Sequence, residues 1–475
     1  MSHQDKVGHT RSRCHLQDLA ATLKWLLADA DFAAIRFRNG CSWTPRGLVC
    51  AALIWAWSES HALTRRLAQA LKVVHAMGIQ QTEPAGTYQA FLKMLRTWTV
   101  PLAQALTAAF RRRMQTALRR RFRTYGFVLF GVDGSRAELP RTASNQSRFV
   151  PPERARAKKA AKRDSCRVRA KGRRAKKAAA KKAENPQLWL TTLFHLGTGL
   201  PWSWRLGPSN SSERGHLLEM IAELVPGSLM VADAGFVGYV VWRALQAAGH
   251  HFVIRVGSNI KLLTGLDYRR RKKKGLVYLW PKGAMKQGLP PLVLRLVRIQ
   301  DGAETVYLVT SVLDATRLGD EAVREIYRMR WGIELFYRHF KQTYERSELR
   351  SHTADHVELE ATWSLLGLWA MMLTAEEELL KGDVPQEKIS VAGTLHAFRT
   401  AIREYKSPPD PGESLRELLG LAVIDSYTRV NKASRDYPRK KQHRKIGSPQ
   451  IEAVTEVEIN AARNLKDQQW LRLTA

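Results

Sequence analysis

The stretch YRMRWGIELFYRHFKQ, residues 327–342, is the part of the sequence that decides the fold. When its residues are set out at roughly 100° each, as in an α-helix, a group of polar side chains falls within about 80° of arc. These are Tyr327, Arg330, Glu334, Arg338 and Lys341. The opposite side of the helix is apolar and carries Ile326, Met329, Ile333, Phe336 and Phe340. The pattern predicts an amphipathic helix whose apolar side packs on a sheet and whose polar side lines a groove.

Two aspartates elsewhere in the chain are predicted to lie near the polar side of this helix. The run YGFVLFGVDG (125–134) predicts a strand ending at Asp133, and SLMVADAGF (228–236) predicts a buried strand ending at Asp233. Arg–Glu pairs on an ordinary surface helix would explain the polar stripe alone, but not these aspartates. Functional groups gather just beyond strand ends in open α/β sheets. The sequence therefore predicts that both aspartates and Glu334 form one set of carboxylates.

The charge of the chain points to a polyanionic partner. Its 475 residues include 77 Lys and Arg against 43 Asp and Glu, a formal net charge of +34. Nucleic acid is the first candidate, and a protein with a merely basic surface or a binder of acidic membranes are the alternatives. Residues 110–123 hold seven arginines, which predicts either a solvated helix face or a phosphate-contacting helix.

Residues 150–184 form a separate basic segment. It carries fifteen Lys and Arg between Arg154 and Lys182 and lacks the large apolar residues that a core needs. We expect a flexible or transiently helical arm that grips phosphates, or else a low-complexity insert without a role.

Several classes of protein are excluded by what the sequence lacks. The four cysteines form no C-x-x-C pair, so neither a zinc site nor a disulfide framework is indicated, and a reducing cytoplasm fits. The amino terminus has no signal-peptide core, and the longest apolar runs are too short to span a bilayer. No G-x4-G-K-[ST] loop is present, so a nucleotide cofactor is not expected.

Three carboxylates without a histidine partner suit hard divalent cations, Mg²⁺ or Mn²⁺. Two such ions about 4 Å apart can clamp the scissile phosphate of a nucleic acid. The cationic residues beside Glu334 would then hold the polyanion in line and offset charge in the transition state. His195 and His216 are expected to be structural, since their spacing indicates no metal site.

These residues resemble a known family. Tyr327, Arg330, Glu334 and Lys341 match the Y-x2-R-x3-E-x6-K signature of the insertion-sequence-four family of DDE transposases. VDGS and ADAGF resemble that family's first and second aspartate motifs, and the order of strands and helices resembles the ribonuclease H-like catalytic fold. Members commonly carry a β-rich insertion between the second aspartate and the glutamate, and β-like segments lie in that interval here. The resemblance covers roughly residues 125–380.

The resemblance implies metal-dependent cleavage at transposon ends, followed by transfer of the freed 3′-hydroxyl into target DNA. It implies Asp133, Asp233 and Glu334 as ligands of Mg²⁺ or Mn²⁺. It implies DNA contacts by the cationic stripe and by a base-stacking tryptophan in the insertion; the candidates are Tyr327, Arg330, Lys341, Arg338 and Trp280. A buried core tryptophan is the alternative for Trp280. Relatives act as dimers that bridge two DNA ends, so a homodimer on double-stranded terminal repeats, in the bacterial cytoplasm and on the nucleoid, is expected.

The predicted fold class is α/β, a ribonuclease H-like core with a β-rich insertion, flanked by helical regions. The expected parts are a helical N-terminal DNA-binding domain (1–124), the catalytic domain (125–256 and 316–382), the basic arm (150–184), the insertion (257–315) and a helical C-terminal region with a basic tail (383–475). The arm lies where a short connection is expected in this family, so it adds non-specific affinity or marks an atypical mode of end binding.

Two other functions stay open: a non-mobile nuclease on the same fold, and a DNA-binding protein descended from a transposase that has lost catalysis.

Overall fold

The structure is a computed structural model that describes residues 15–79, 87–151, 185–266, 268, 275–301, 304–424 and 447–474, with side chains to residue 465 in the last range. The basic arm predicted at 150–184 lies outside the described residues from residue 152 onward. The basic tail cluster RKKQHRK, residues 439–445, lies outside them as well.

In the described part of the chain, ten strands form one continuous sheet in the order β10-β6-β7-β8-β9-β5-β4-β1-β2-β3. Their bounds are β1 Val128–Glu138, β2 Gln187–His195, β3 Leu200–Gly207, β4 Ser228–Ala232, β5 His251–Val256, β6 Lys261–Thr264, β7 Leu276–Leu279, β8 Leu292–Asp301, β9 Glu304–Thr310 and β10 Gln450–Ala453.

The helices of the described residues lie before, between and after these strands. Their bounds are α1 His15–Leu26, α2 Pro45–Trp57, α3 Leu63–Ala76, α4 Tyr88–Thr116, α5 Arg119–Phe122, α6 Ala143–Phe149, α7 Glu213–Met220, α8 Tyr239–Ala247, α9 Lys282–Lys286, α10 Asp320–Met329, α11 Trp331–Arg338, α12 Ala354–Leu380, α13 Val391–Arg403, α14 Leu415–Gly420 and α15 Glu456–Thr474. None of the helices in the described ranges combines the length and the apolar character needed to cross a bilayer.

Strands β3-β2-β1-β4-β5 form the half of the sheet that holds both aspartates. β1 is parallel to β4 and β4 to β5, whereas β2 is antiparallel to its neighbours β1 and β3. Helix α8 crosses over between the parallel strands β4 and β5, because parallel neighbours cannot be joined by a tight turn. This arrangement is the ribonuclease H-like core predicted from the sequence.

The segment read from the sequence as a β-rich insertion holds β6 to β9, and it extends the same sheet. β9 pairs with β5 in antiparallel fashion, so the core strands and these later strands share one hydrogen-bonded ladder. The outermost strand, β10, comes from the C-terminal region and pairs with β6 in parallel. The sequence pattern gave no indication of β10, because four exposed residues lack the alternation of a half-buried strand.

The N-terminal helices share a core with the long helix α12 of the later chain. The indole N–H of Trp57 on α2 donates to the carbonyl oxygen of Gly367 (2.8 Å), and that of Trp363 donates to Thr99 Oγ1 on α4 (2.9 Å). Both indoles are fully buried. The N-terminal helices therefore pack directly against α12.

The arginine run at 110–123 is only partly engaged inside the protein, since four of its seven arginines are exposed. Arg111 donates to the carbonyl oxygen of Trp202 and pairs with Glu223 (2.6 Å). Arg121 pairs with the buried carboxyl of Glu376. Arg111 and Arg121 join the helical region to the sheet and to α12, so these two have partners within the protein, and the exposed arginines of the run leave both predictions open.

Candidate active site

The backbone register places the two aspartates side by side. β1 and β4 are paired up to Gly131 and Val231. Carried two residues further, the same register sets Asp133 next to Asp233, and neighbouring strands lie only about 4.8 Å apart. Asp233 follows the end of β4, as the sequence predicted.

Asp133 differs from its prediction in one respect, because β1 does not end there. The ladder between β1 and β2 continues past Asp133 to Glu138 and Gln187. The neighbouring strand β4 stops at Ala232, so the side chain of Asp133 lies beside the open end of β4 although its own strand goes on. Oδ1 of Asp133 accepts a hydrogen bond from the backbone N–H of Gly134 (2.8 Å).

The segment 327–342 is broken into three pieces rather than forming one helix. α10 ends at Met329, α11 begins at Trp331, and residues 339–343 form a π-helical turn. At the break, the N–H of Arg330 donates to the carbonyl of Tyr327, three residues back, which tightens the chain. π-helical turns are often found at functional sites. A single helical wheel for the whole segment was therefore an approximation.

The apolar side of the segment is buried as predicted. Ile326, Ile333, Phe336 and Phe340 are all inaccessible or nearly so, and Met329 packs against the same core. Helix α11 lies across β1, since a Cβ built on Gly131 would be 3.8 Å from Cγ2 of Ile333.

Glu334 is held by an ion pair with Arg330 one turn earlier. The Arg330 Nη2 to Glu334 Oε1 distance is 2.7 Å, and both side chains are mostly buried. Burial favours the neutral guanidinium, but Tyr327, Glu334 and Asp233 outweigh it and raise the pKa of Arg330. Arg330 is thus under the influence of both the second aspartate and the glutamate.

Asp133 lies within electrostatic reach of both Asp233 and Glu334. Burial, together with the negative charges of Asp233 and Glu334, raises the pKa of Asp133 to about 6, against the opposing effects of the Gly134 N–H and Arg330. Repulsion of this kind is what a cation between carboxylates would relieve.

The other predicted DNA-contacting residues are divided by their exposure. Tyr327 is partly buried, 5.6 Å from the Arg330 guanidinium, and Lys341 is half-buried with a pKa lowered by burial. Arg338 is exposed. Trp280 is only 6% exposed, and its indole N–H donates to the carbonyl of Leu289 (2.8 Å), so the buried-core alternative describes its position here.

The two histidines that the sequence analysis expected to be structural both make hydrogen bonds within the fold. His195 is fully buried, and its Nδ1 accepts from the backbone N–H of Thr198 (3.1 Å). Nδ1 of His216 lies 2.8 Å from Oγ1 of Thr191 on β2.

Three residues near the carboxylates were missed in the sequence. Tyr337 is buried, and its hydroxyl donates to the backbone carbonyl of Asp133 (2.7 Å). Trp331, directly after Arg330, is 56% exposed despite its size. Burial and the charges of Asp133 and Asp233 raise the pKa of Glu213, the first residue of α7, to about 7. In the sequence, the only sign of these three residues was Trp331, a tryptophan beside the predicted polar face of 327–342.

The fold is a ribonuclease H-like core, and Asp133 lies within it beside Asp233 and in electrostatic reach of Glu334. The sequence profile of the Transposase DDE domain family matches residues 132–370, just over half of the chain. The chain belongs to this family.

One sequence relative is consistent with that assignment. The chain is similar to "Transposase InsG for insertion sequence element IS4" of Escherichia coli (strain K12), with 28% identity over 215 residues. The match covers 42% of this chain and 48% of the relative, so the chain spans about half the length of that protein. Among solved structures it is similar to the piggyBac transposase synaptic complex with hairpin DNA, at 10% identity and a TM-score of 0.40 over 88% of this chain and 87% of that chain. The family match confirms the resemblance predicted from the motifs.

Membership of the DDE family implies dependence on divalent metal in general. Within the described ranges, no three His, Cys, Asp or Glu side chains are already drawn together as a metal-binding group. Glu334 instead bonds to Arg330. The donor set nevertheless fits a hard divalent cation, since it consists of carboxylate oxygens that repel one another across a half-buried space.

Proposed function

We propose that this protein is a cut-and-paste DNA transposase that cleaves transposon ends and joins the 3′-hydroxyl to target DNA. The observation that carries the proposal is the position of Asp133 on β1 beside Asp233, just past the end of β4, with Glu334 in electrostatic reach of Asp133. Membership of the DDE family and the formal charge of +34 point to the same substrate, double-stranded DNA.

In our proposal the protein binds two divalent ions, Mg²⁺ or Mn²⁺. Asp133, Asp233 and Glu334 would hold them. Bound divalent ions activate an attacking water or 3′-hydroxyl and stabilise the leaving oxygen of a phosphodiester. The carboxylates orient the reacting groups from a rigid sheet and a packed helix, which keeps them in place when DNA enters.

The cationic residues position the DNA strand. Arg330 is half-buried beside the carboxylates, so an entering phosphate offers it a second partner and leaves Glu334 free to turn toward the metal. Lys341 is half-buried and lies within electrostatic reach of Asp133. Tyr327 packs beside Arg330 and limits the directions that the guanidinium can take.

Trp331 extends this surface. Its indole is the exposed aromatic group nearest in sequence to Arg330 and Glu334. Aromatic side chains stack on unpaired bases at little cost in sequence specificity. We therefore assign the base-stacking role to Trp331 rather than to the buried Trp280.

The proposal is tested by incubating the purified protein with Mg²⁺ or Mn²⁺ and duplexes that carry the terminal repeats flanking its own gene. We expect nicked, hairpinned or joined products from the wild-type protein, and none from the Asp133→Ala, Asp233→Ala or Glu334→Ala variants, all of which should still bind the ends. Binding without any product would favour the inactive DNA-binding alternative. Cleavage of any duplex, without joining and without a need for the repeats, would favour the non-mobile nuclease. Crosslinking on paired ends tests the expected homodimer.

A further inference from the structure

Arg255 on β5 lies in one row across the sheet with the two aspartates. β4 and β5 are paired up to Ala232 and Ile254, so the next residues in that register are Asp233 and Arg255. The backbone of Asp233 is still extended, which carries the register across this last step. Because neighbouring strands lie about 4.8 Å apart, Arg255 follows Asp233 in the row as closely as Asp233 follows Asp133.

The three side chains of this row share one face of the sheet. Successive residues of a strand point to opposite faces, and residues in register on parallel strands point to the same face. A Cβ built on Gly131 would contact Ile333 of α11, so Asp133, two residues later, points to the face that α11 covers. The register places Asp233 and Arg255 on that face as well.

The end of β5 is fixed on both of its sides. In the loop after β5, Nδ2 of Asn259 donates to the carbonyl of Ala234 (3.3 Å), directly after the second aspartate. On the other side, β9 pairs with β5 and sets Leu308 opposite Arg255. The backbone of Arg255 is therefore held beside the carboxylates by the sheet and by the turn after Asp233.

The guanidinium of Arg255 has no partner of its own. It is half-buried, yet among the residues that the structure describes it donates no hydrogen bond and forms no ion pair. Oδ1 of Asp233 instead accepts a backbone N–H (2.8 Å). Arg205 on β3 is the contrast, a half-buried strand arginine that pairs with Glu219 (3.2 Å) and Glu223 (2.9 Å). A half-buried cation without an anion costs free energy.

Tyr327 brings Arg255 together with Arg330. The guanidinium carbon of Arg330 lies 5.6 Å from the centre of the Tyr327 ring. Burial raises the pKa of Tyr327, and the positive charges of Arg330 and Arg255 oppose that rise, so both cations lie within electrostatic reach of its hydroxyl. Two cations gathered around one side chain repel each other, and an anion bound between them would offset the repulsion.

We propose that Arg255 binds a phosphate group of the DNA strand that enters the active site, on the side of Asp233 away from Asp133. This inference rests on the proposed function, because it presupposes DNA at the carboxylates. A planar guanidinium suits this role, since it can donate two parallel hydrogen bonds to one phosphate. Arg330 then holds the strand from the helix side of the site, and Arg255 holds it from the sheet.

The test is a set of fluorescence-anisotropy titrations of the full-length protein with duplexes that carry the terminal repeats, at several salt concentrations and without divalent metal, so that no cleavage occurs. Arg255→Ala should weaken binding at least about tenfold and lower the slope of log affinity against log salt concentration by about 1. Arg255→Lys retains the charge and should keep the slope. Arg205→Ala removes an arginine that has partners within the protein and should leave the slope as in the wild-type protein. The thermal midpoint of each variant reports on folding.

Duplexes with a single neutral methylphosphonate provide a second arm, because they remove the charge of one phosphate at a time. Placed in turn around the cut site, this replacement should weaken wild-type binding at one position where Arg255→Ala loses most of the penalty, as expected for two changes to one contact. A variant that keeps the full penalty at every position acts through structure alone, and the inference is then wrong. If Arg255→Ala matches the wild-type protein in affinity and slope, the inference is wrong and the proposed function stands. If the wild-type protein binds no end duplex, the proposed function itself is wrong.

Discussion

The hydroxyl of Tyr337 donates a hydrogen bond to the backbone carbonyl of Asp133, at 2.7 Å, and so joins the glutamate helix α11 to the aspartate strand β1. Tyr337 stands three residues after Glu334 and is buried. A second carbonyl, that of Leu190 on β2, lies 3.3 Å from the same hydroxyl. The hydrogen bond from Tyr337 therefore fixes α11 against β1. In this way it helps to set the position of Glu334 relative to Asp133.

Tyr337→Phe should therefore reduce cleavage by more than its effect on stability explains. Loss of a single buried hydrogen bond costs about 1 kcal/mol of unfolding free energy, measurable by urea denaturation. Cleavage should fall at least about tenfold, since small misplacements of catalytic groups are costly. Tyr344→Phe is the matched control, because the buried Tyr344 hydroxyl has no hydrogen-bond partner among the described residues. Equal effects of the two substitutions would refute a positioning role.

Metal affinity should depend on pH through Asp133. Burial and its carboxylate neighbours raise the pKa of Asp133 to about 6, and a metal ion binds only the ionised form. As the pH falls below about 6, protons compete for this site, so Mn²⁺ affinity should drop about tenfold per pH unit for this group alone. Calorimetry in a series of buffers measures the profile. An affinity that stays constant from about pH 7 to about pH 5 would contradict this assignment.

Lys341→Ala should weaken binding of duplexes near the cut site and lower the salt dependence of binding. Each phosphate contact contributes about one unit to the slope of log affinity against log salt concentration, so the slope should fall by about 1. Lys341→Arg retains the charge and should keep the slope. The measurement is a set of fluorescence-anisotropy titrations at several salt concentrations, and an unaltered slope in the alanine variant would remove Lys341 from the DNA-contacting set.

Trp331→Ala should reduce affinity for end-bearing DNA while leaving stability unchanged. The exposed indole contributes little to the core, whereas one stacked base is worth about 1–3 kcal/mol of binding free energy. Trp331→Phe keeps an aromatic face and should retain most of the affinity. Competition binding with duplexes that carry an unpaired base at the cut end provides the measurement, and identical affinities in all three proteins would exclude stacking by Trp331.

Glu376 should make folding stability fall as the pH rises. Burial raises the pKa of Glu376 to about 8, although Arg121 opposes the shift. The folded pKa lies above the ordinary value of 4.5, so the folded protein binds the extra proton and loses this stabilisation as the pH rises through about 8. Glu376→Gln should flatten the dependence of the thermal midpoint between about pH 5 and about pH 8. Glu378→Gln, on the same helix but paired with Lys381, should keep it.

The sequence predicted best the features that depend on residues close together in the chain. The strand ending at Asp233 and the buried side of 327–342 follow from periodicity, which depends on near neighbours alone. The approach of Asp133 to Asp233 was predicted although only Asp233 lies at a strand end, because the two aspartates occupy matching positions of the parallel pair β1 and β4.

The remaining features depend on contacts between distant parts of the chain. The bond from Tyr337 to Asp133 joins residues 204 positions apart, and the approach of Glu213 to Gly134 depends on the turn before α7. The sequence gives only the charge of Arg111 and Arg121. Their partners on β3 and α12 are identified by the fold. For Trp280 the sequence left base stacking and a core position open, since burial depends on how β7 and its neighbours pack.

The last strand of the sheet carries a consequence for engineering this protein. β10 covers the free backbone groups of β6, and Lys261 and Glu452 pair across the two strands at 2.5 Å. Shortened versions that stop before residue 450 would leave β6 with bare amides and carbonyls, a template on which other chains can add by strand pairing. A C-terminal tag or deletion intended to aid crystallisation should therefore keep β10 paired with β6, because an uncovered β6 edge favours aggregation into fibres.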